Sequence, residues 1–303
     1  MGKTAFLFPG QGAQYPGMGK DFFEQMPKAR EVFAEASEVT GLDLAALCFE
    51  ENEKLNITEY TQIAMLTVEA AILAVLEEAG LQSHVNAGLS LGEYGALLAS
   101  KVLNREEAFR LVRKRGIYMQ EAVPAGGAMA AVLGLDSETI ARICEETEGT
   151  VSVANYNCPG QTVITGESQA VERAGRALKE AGAKRVLPLK VSGPFHSPML
   201  KGAGEKLAEE LRNISIQKIQ TPYITNVTAD YVTDEREIKG LLAKQVSSSV
   251  RWQETIERMI RDGVDTFVEI GPGKTLTGFL KKIDRNVTGI NIQTVEDFEN
   301  LKY

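Results

Sequence analysis

The sequence predicts an α/β protein in which a large domain, built on a parallel sheet, carries a smaller inserted domain. One observation is the stretch Gly88-Leu89-Ser90-Leu91-Gly92, which stands between a predicted strand over 83–87 and a predicted helix over 91–99. A second is a change in the predicted secondary structure near residue 127, where short strands begin to alternate with helices. The length of 303 residues and the 44% hydrophobic content provide for one large core or two unequal ones.

A Gly-x-Ser-x-Gly pattern at a strand-to-helix junction is typical of a nucleophile elbow. The chain must turn sharply there, which places Ser90 in strained backbone geometry. Glycines two residues to either side avoid the Cβ clashes that would block the turn. The turn exposes the Ser90 hydroxyl at the sheet edge and aims the first amides of the helix at a bound substrate. We therefore expect an α/β-hydrolase-like large domain with Ser90 as a nucleophile.

Before the elbow, the sequence predicts a buried strand over 4–8 and helices over 21–40 and 59–79. The strand enters the loop Pro9-Gly10-Gln11-Gly12, which is not a dinucleotide fingerprint because Tyr15 stands where a third glycine is required. The apolar stretch 63–76 reads as a central buried helix, too short for the ~20 residues that a bilayer requires. A further helix is predicted over 105–121.

From residue 128 the pattern predicts strand, helix, strand, strand, helix and strand, over 128–133, 137–146, 151–155, 162–165, 168–181 and 185–189. That order is the ferredoxin-like unit. We assign residues 1–126 and 192–303 to the large catalytic domain and 127–191 to the small one, with a site expected in the cleft between them. The remaining predictions are helices over 198–211, 235–242 and 252–261, strands over 223–225 and 266–270, and a last helix after Gly273.

Composition excludes several classes of function. A formal net charge of −8 argues against non-specific binding to nucleic acid. The three cysteines show no metal-ligand spacing, and they are expected to be buried packing residues in a reducing compartment. Gly273-Lys274-Thr275 is not a phosphate-binding loop, because Val268 stands where its first glycine is required. With no secretory or membrane-spanning pattern, we expect a cytoplasmic protein.

A serine nucleophile needs a general base, and the chain contains only two histidines. His84 precedes the strand that enters the elbow, which suggests a structural role. His196 lies in a loop rich in glycine and proline, where the chain returns from the small domain to the large one. We therefore predict His196 as the base.

The sequence resembles malonyl-CoA:acyl-carrier-protein transacylases and the related acyltransferase domains of polyketide synthases. Seven separated blocks carry the resemblance in order: Phe8-Pro9-Gly10-Gln11-Gly12-x-Gln14, Thr61-Gln62-x-Ala64, Gly88-x-Ser90-Leu91-Gly92-Glu93-Tyr94, Arg115-Gly116-x-x-Met119-Gln120, Pro159-Gly160-Gln161, Phe195-His196-Ser197-Pro198-Met199 and Glu269-Ile270-Gly271-Pro272-Gly273. One departure is Leu89, where many family members have histidine.

The resemblance implies a ping-pong acyl transfer through an ester of Ser90, with His196 as base and without a metal or other cofactor. It implies an oxyanion hole formed by the N–H groups of Gln11 and Leu91. For Leu91 the elbow pattern predicts the same role independently. Gln245 matches the residue whose main-chain carbonyl orients the histidine.

The resemblance also implies the substrates, malonyl-CoA and an acidic acyl carrier protein, and a monomeric enzyme is expected. Arg115 matches the arginine that holds the malonyl carboxylate, a task suited to a planar guanidinium with two parallel hydrogen bonds. Phe195 fits an unbranched malonyl group. Candidate docking residues for the carrier protein are Lys184, Arg185, Lys190, Arg113 and Lys114.

Three other functions stay open from the residues alone. The enzyme could serve a polyketide synthase rather than fatty-acid synthesis, which changes the pathway and not the chemistry. A serine thioesterase or esterase would use the same Ser90 and His196 but has no evident use for Arg115. A non-catalytic module that binds the carrier protein is disfavoured by the intact Ser90 and His196.

Overall fold

The computed structural model describes residues 2–123, 125–189 and 193–301. The strands of that part of the chain are β1 Lys3–Phe8, β2 Val85–Gly88, β3 Gly127–Leu133, β4 Val151–Cys158, β5 Gln161–Glu167, β6 Arg185–Pro188, β7 Val264–Ile270 and β8 Thr288–Ile292. Its α-helices are α1 Lys20–Gln25, α2 Pro27–Thr40, α3 Leu44–Phe49, α4 Thr58–Glu78, α5 Glu93–Ala99, α6 Arg105–Ala122, α7 Ser137–Glu146, α8 Ser168–Glu180, α9 Lys201–Arg212, α10 Glu235–Gln245, α11 Trp252–Arg261, α12 Thr275–Ile283 and α13 Val295–Glu299. Short 3₁₀ turns cover Lys54–Asn56, Ser90–Gly92 and Pro198–Leu200.

The large sheet is parallel and has the strand order β2-β1-β7-β8. Phe8 at the end of β1 pairs with Gly88 at the end of β2, and Leu7 pairs with Glu269 of β7. The carboxyl ends of these three strands therefore lie side by side. The loops that follow them meet at one sheet edge, where ligands bind in open α/β sheets.

The small sheet is antiparallel, with the order β4-β5-β3-β6. Its elements follow the predicted sequence of strand, helix, strand, strand, helix and strand. Helices α7 and α8 contribute Ile140, Ile143, Val171 and Leu178 to an apolar core of their own with the strands. The small sheet is also joined to the large domain, because Met129 of β3 and Val163 of β5 belong to the same apolar cluster as Phe8 of β1.

Helix α4 is the central buried helix that the sequence predicts. Every residue from Ile63 to Leu76 is buried, and this helix supplies much of the largest apolar cluster. The prediction that it is too short to span a bilayer is wrong, because the helix has 21 residues and is long and apolar enough to cross a membrane. In this structure 89% of its apolar window is buried inside the protein.

The structure corrects four element predictions. The helix predicted over 21–40 is two helices, because Pro27 forces Met26 into extended geometry between them. The helix predicted over 198–211 begins as a 3₁₀ turn. Residues 223–225 form isolated bridges, Asn86 to Tyr223 and Ile224 to Tyr231, rather than a strand. Helix α12 is not the last element, since β8 and α13 follow it.

Two sequence predictions fall partly outside the described residues. The boundary between the domains at 191 and 192 and the candidate docking residue Lys190 both lie in the segment 190–192.

Candidate active site

Ser90 lies in the turn between β2 and α5, where the sequence predicts it. The strand ends at Gly88, a 3₁₀ turn covers Ser90–Gly92 and the helix begins at Glu93. Ser90 has a φ of 54°, in the left-handed region that side chains other than glycine rarely adopt. Backbone strain therefore coincides with the predicted nucleophile.

The glycines of the elbow are required by close packing. A Cβ on Gly88 would lie 1.9 Å from the carbonyl carbon of Gly92, and a Cβ on Gly92 would lie 2.1 Å from the carbonyl oxygen of Phe8. A Cβ on Gly10 would lie 2.6 Å from the carbonyl oxygen of Leu89. The elbow and the loop after β1 are thus in backbone contact, and only glycine fits between them.

His196 is brought next to Ser90 from 106 residues away in the sequence. Its Nε2 lies 2.7 Å from the Ser90 Oγ, and its Nδ1 lies 3.0 Å from the carbonyl oxygens of both Gln245 and Ser248. Because carbonyls only accept hydrogen bonds, Nδ1 carries the proton and Nε2 presents its lone pair to the serine hydroxyl. The contact with the Gln245 carbonyl is the one implied by the resemblance, whereas the contribution of Ser248 was not predicted.

The environment of His196 keeps its imidazole neutral. Burial lowers the pKa of His196 to about 4, and the positive charge of Arg115 lowers it as well, while the two carbonyl contacts oppose the shift. His196 is 4% exposed. Its backbone φ is 58°, so it adopts left-handed geometry as Ser90 does. A neutral imidazole at pH 7 is able to accept a proton from the serine.

Arg115, on helix α6, is fully buried and reaches the same site. Its Nη1 donates to Gln62 Oε1 at 2.6 Å, and its Nη2 donates to Gln245 Oε1 at 2.9 Å and to Ser90 Oγ at 3.2 Å. Burial lowers the pKa of Arg115, and the neighbouring Tyr94 and Glu93 oppose that shift. A guanidinium nevertheless stays charged in proteins, so the site holds a cation beside the serine.

The neighbours of Arg115 on its helix lie close to carboxylates. Arg113 forms an ion pair with Glu59 at 2.9 Å, and exposed Lys114 lies 3.9 Å from Glu210. In contrast, no carboxylate of the described residues forms an ion pair with Arg115. A buried cation without an anionic partner is a ready site for a ligand carboxylate.

Gln11 and Leu91, the predicted oxyanion donors, both line the cavity that contains Ser90 and His196. The Gln11 N–H makes no hydrogen bond within the described ranges, while its side chain donates to Thr58 Oγ1 at 3.1 Å. Gly12 follows with a φ of 109°, which lets the loop bend beside the elbow. The geometry is compatible with the predicted role, which stays a prediction.

The side chains that surround the elbow were not predicted from the sequence. Asn226 Oδ1 accepts from the Ser90 N–H at 2.6 Å, and Asn226 Nδ2 donates to the Gly88 carbonyl at 2.6 Å. Glu93 Oε2 accepts from the Gln245 side chain at 2.8 Å. Glu93 belongs to the block that contains Ser90, but the sequence predicted no function for it. The available signal for Asn226 was a polar residue directly after the apolar segment 223–225.

The cavity has a volume of about 400 Å³ and lies between the two sheets, as the predicted cleft does. We call one side the elbow wall; it consists of Gln11, Gln62, Ser90, Leu91 and His196. We call the opposite side the small-sheet wall; it consists of Met129, Ala131, Asn155, Asn157 and Val163. Phe195 also lines the cavity, beside the predicted base.

The other candidates lie away from this chemistry. His84 is exposed and its Nδ1 accepts from the Thr4 N–H at 3.0 Å, which gives it a local structural contact. The cysteines Cys48, Cys144 and Cys158 are buried and free, which confirms the prediction that they are buried.

Comparison with known proteins agrees with this site. Residues 5–296 match the acyl transferase domain family. The malonyl CoA-acyl carrier protein transacylase of Bacillus subtilis is 48% identical over 304 residues, which cover 99% of this chain and 96% of that protein. The crystal structure of the transacylase of the same name from Clostridium perfringens has a TM-score of 0.95 and 48% identity, covering 98% of this chain and 95% of that one.

A second similar structure is a complex of a type II polyketide synthase acyl-carrier protein with its malonyl-transacylase. It has a TM-score of 0.95 and 44% identity over 98% of each chain. The match of the family extends over most of the chain, and the relatives are similar from end to end. The chain therefore belongs to the acyl transferase domain family and, within it, to the malonyl CoA-acyl carrier protein transacylases.

Proposed function

We propose that this protein transfers the malonyl group from malonyl-CoA to the thiol of an acyl carrier protein, in fatty-acid biosynthesis. The observation that carries the proposal is the convergence of His196 and Arg115 on one hydroxyl, at 2.7 Å and 3.2 Å from the Ser90 Oγ. A base is required to activate the serine, and a cation is required to bind an acyl group that ends in a carboxylate. The names of the B. subtilis and C. perfringens relatives support the same activity.

In the first half-reaction, Ser90 Oγ attacks the thioester carbonyl carbon while its proton passes to His196 Nε2. The negative charge that develops on the carbonyl oxygen is stabilised by the N–H groups of Gln11 and Leu91. The carbon–sulfur bond then breaks, and His196 returns the proton to the coenzyme A thiolate. The products are free coenzyme A and an ester of malonate with Ser90.

The second half-reaction runs the same steps in reverse with a different thiol. The carrier-protein thiol gives its proton to His196, and its sulfur attacks the ester carbon. The bond to Ser90 Oγ breaks, and the serine recovers its proton from His196. Serine and histidine supply all the proton and acyl transfers, so the proposed reaction requires no cofactor.

Arg115 gives the site its preference for malonyl. In the structure its donors engage Gln62 Oε1 and Gln245 Oε1, while its Nε has no partner among the described residues. A malonyl carboxylate would bind the guanidinium through two charge-assisted hydrogen bonds, which a neutral acyl group cannot form.

We further propose that the small antiparallel sheet is a ferredoxin-like insertion, residues 127–191, in an α/β-hydrolase-like domain. The order β6-β3-β5-β4 with two helices supports the first part. The strand-turn-helix at Ser90, at the carboxyl edge of a parallel sheet, supports the second.

For the carrier protein we propose a docking surface along edge strand β6. Lys184 and Arg185 are exposed there, and the large apolar side chains Leu187 and Leu189 are 43% and 37% exposed. Leu189 also lines the cavity, so this surface leads to the elbow wall. Basic and apolar groups side by side suit an acidic partner.

Three free cysteines in the chain support a cytoplasmic location.

Intact-mass spectrometry tests the proposed function. Mixed with malonyl-CoA, the protein should gain one malonyl group, and adding holo acyl carrier protein should remove that group and transfer it to the carrier. Rapid release of malonate without any carrier protein would instead indicate a hydrolase. The absence of a covalent adduct would contradict the proposal.

A further inference from the structure

The polar backbone groups around Ser90 are held by side chains. Asn226 accepts from the Ser90 N–H at 2.6 Å and donates to the Gly88 carbonyl at 2.6 Å. Gln245 Nε2 donates to the Ser90 carbonyl at 2.8 Å. Since these groups lie in a tight turn with left-handed geometry at Ser90, two amide side chains add to the backbone hydrogen bonds of the turn.

Asn226 and Gln245 share one anchor. Glu93 Oε2 accepts from the main-chain N–H of Asn226 at 3.1 Å and from the side-chain Nε2 of Gln245 at 2.8 Å. All three residues are fully buried. Burial raises the pKa of Glu93, and hydrogen bonds from Asn226 and Gln245 oppose that shift. Glu93 therefore fixes the Asn226 main chain and the Gln245 side chain relative to the start of helix α5.

Gln245 has contacts that Asn226 lacks. Its two amide hydrogens go to the Ser90 carbonyl and to Glu93 Oε2, so its oxygen must point the other way. That oxygen accepts from Arg115 Nη2 at 2.9 Å. Turning the amide over would set its N–H groups against the guanidinium. The orientation of Gln245 is thus fixed by donors on one side and an acceptor on the other.

A single residue thereby contacts the proposed nucleophile, the proposed base and the buried cation. The Gln245 side chain contacts Ser90 and Arg115, and its main-chain carbonyl lies 3.0 Å from His196 Nδ1. The side chain and the carbonyl are chemically separable, because a substitution at this position removes the former and keeps the latter.

We propose that the Gln245 side chain is a specificity-positioning residue that holds Arg115 at the distance from Ser90 that a malonyl group requires. Asn226 is a positioning residue of another kind, since it holds Ser90 and contacts neither Arg115 nor His196. The inference rests on the proposed function. Its consequence is that the two amides differ in their effect on acyl selectivity.

Gln245→Met keeps the length of the side chain and removes its donors and its acceptor. We expect kcat/KM for malonyl-CoA to fall by about 10- to 100-fold, the effect of losing hydrogen bonds to a charged group. Acetyl-CoA does not use Arg115, so the ratio of malonyl to acetyl kcat/KM should fall by about tenfold or more. The pH at which activity declines should stay unchanged, because the carbonyl beside His196 remains.

Asn226→Ala is the contrasting variant. We expect it to lower kcat/KM for malonyl-CoA and acetyl-CoA by equal factors, about 10-fold or more, with an unchanged ratio. Gln253→Met on α11 is the matched control, because among the described residues the Gln253 amide hydrogen-bonds only Glu257, outside the cavity. It should leave kcat/KM unchanged for both substrates.

Gln245→Glu is measured as well, in case the methionine variant fails to fold. Its carboxylate would pair with Arg115 and compete with malonate, so the ratio should fall again. An unchanged ratio in a folded Gln245 variant would overturn the inference. If wild-type protein transfers no malonyl group at all, the proposed function fails, and that result is distinguishable from a failure at Gln245.

Discussion

The elbow wall and the small-sheet wall face the same cavity with different chemistry. The elbow wall presents a serine, a neutral histidine and backbone N–H groups, with a buried arginine behind them. The small-sheet wall presents Met129, Ala131, Val163 and two asparagines, none of which titrates. The groups of the proposed reaction therefore lie on one side of the cavity, and the other side bounds the space.

The difference follows from the backbone. The loops that follow β1 and β2 supply Gln11, Ser90 and Leu91 of the elbow wall, and N–H groups there, such as that of Gln11, are not used by a sheet. The small-sheet wall comes from strands β3, β4 and β5, which form a hydrogen-bonded ladder with register shifts in β4 next to Asn155 and Asn157. Both proposed backbone donors for an oxyanion, the N–H groups of Gln11 and Leu91, lie on the elbow wall.

The largest expected effect is at Ser90. Ser90→Ala should lower malonyl transfer by about 10⁴-fold or more and abolish the covalent adduct, because the nucleophilic oxygen is lost. Thermal unfolding should change little, since one hydroxyl is removed from a turn. A mutant that still becomes acylated would show that the nucleophile lies elsewhere, which would contradict the role given to the elbow wall.

His196→Ala should slow acylation by about 10²- to 10⁴-fold, the contribution of a general base. The rate of adduct formation after rapid mixing with malonyl-CoA measures this directly. His84→Ala is the matched control, because His84 lies outside the cavity, and it should acylate at the wild-type rate. Equal rates in the two variants would remove His196 from the mechanism.

The pH profile sharpens the role of burial on the elbow wall. Because the pKa of His196 is lowered to about 4, its neutral form persists well below pH 6.5. Activity should stay level down to about pH 5 and fall about tenfold per unit below about pH 4, as the imidazole gains a proton. A decline centred near pH 6.5 would contradict the buried, neutral histidine.

The same profile tests the influence of Arg115. Its positive charge is the second cause of the low pKa of His196. In Arg115→Ala, measured with acetyl-CoA, the decline should therefore move to higher pH. A profile that stays in place would show that burial alone sets the pKa.

The smallest expected effect is at a buried cysteine of the small sheet, outside the cavity. Cys158 ends strand β4, and burial raises the pKa of its thiol, which disfavours the thiolate. Cys158→Ala should leave transfer within about twofold of wild type, since a buried thiol that is not a nucleophile contributes packing only. A loss of acylation in the folded variant would move the chemistry to the small sheet.

The elbow could be predicted from the sequence because its causes are local. Two glycines around a serine, between a strand and a helix, determine the turn by themselves. Asn226 could not be predicted, since its contact with Ser90 spans 136 residues. Strand β8 was missed because it lies at the sheet edge and is mostly exposed or half-buried, so its apolar pattern is weak.

Arg115 shows where prediction from residues alone ends. Its helix carries Arg113 and Lys114 beside it, and nothing local distinguishes the one that is buried. The glutamines that hold it come from α4 and from the end of α10, so the fold as a whole creates the site. Only the resemblance to a family identified this residue in advance.

The most direct test of the account is the ratio of kcat/KM for malonyl-CoA to that for acetyl-CoA, in wild type and Arg115→Ala. Removing the guanidinium leaves the malonyl carboxylate unpaired in a buried site, so malonyl transfer should fall by about 10²-fold or more. Acetyl transfer should be unchanged or improved, and Arg115→Lys should restore only part, because an ammonium lacks the fork geometry. Equal losses for both substrates would make Arg115 structural and contradict malonyl selection by the elbow wall.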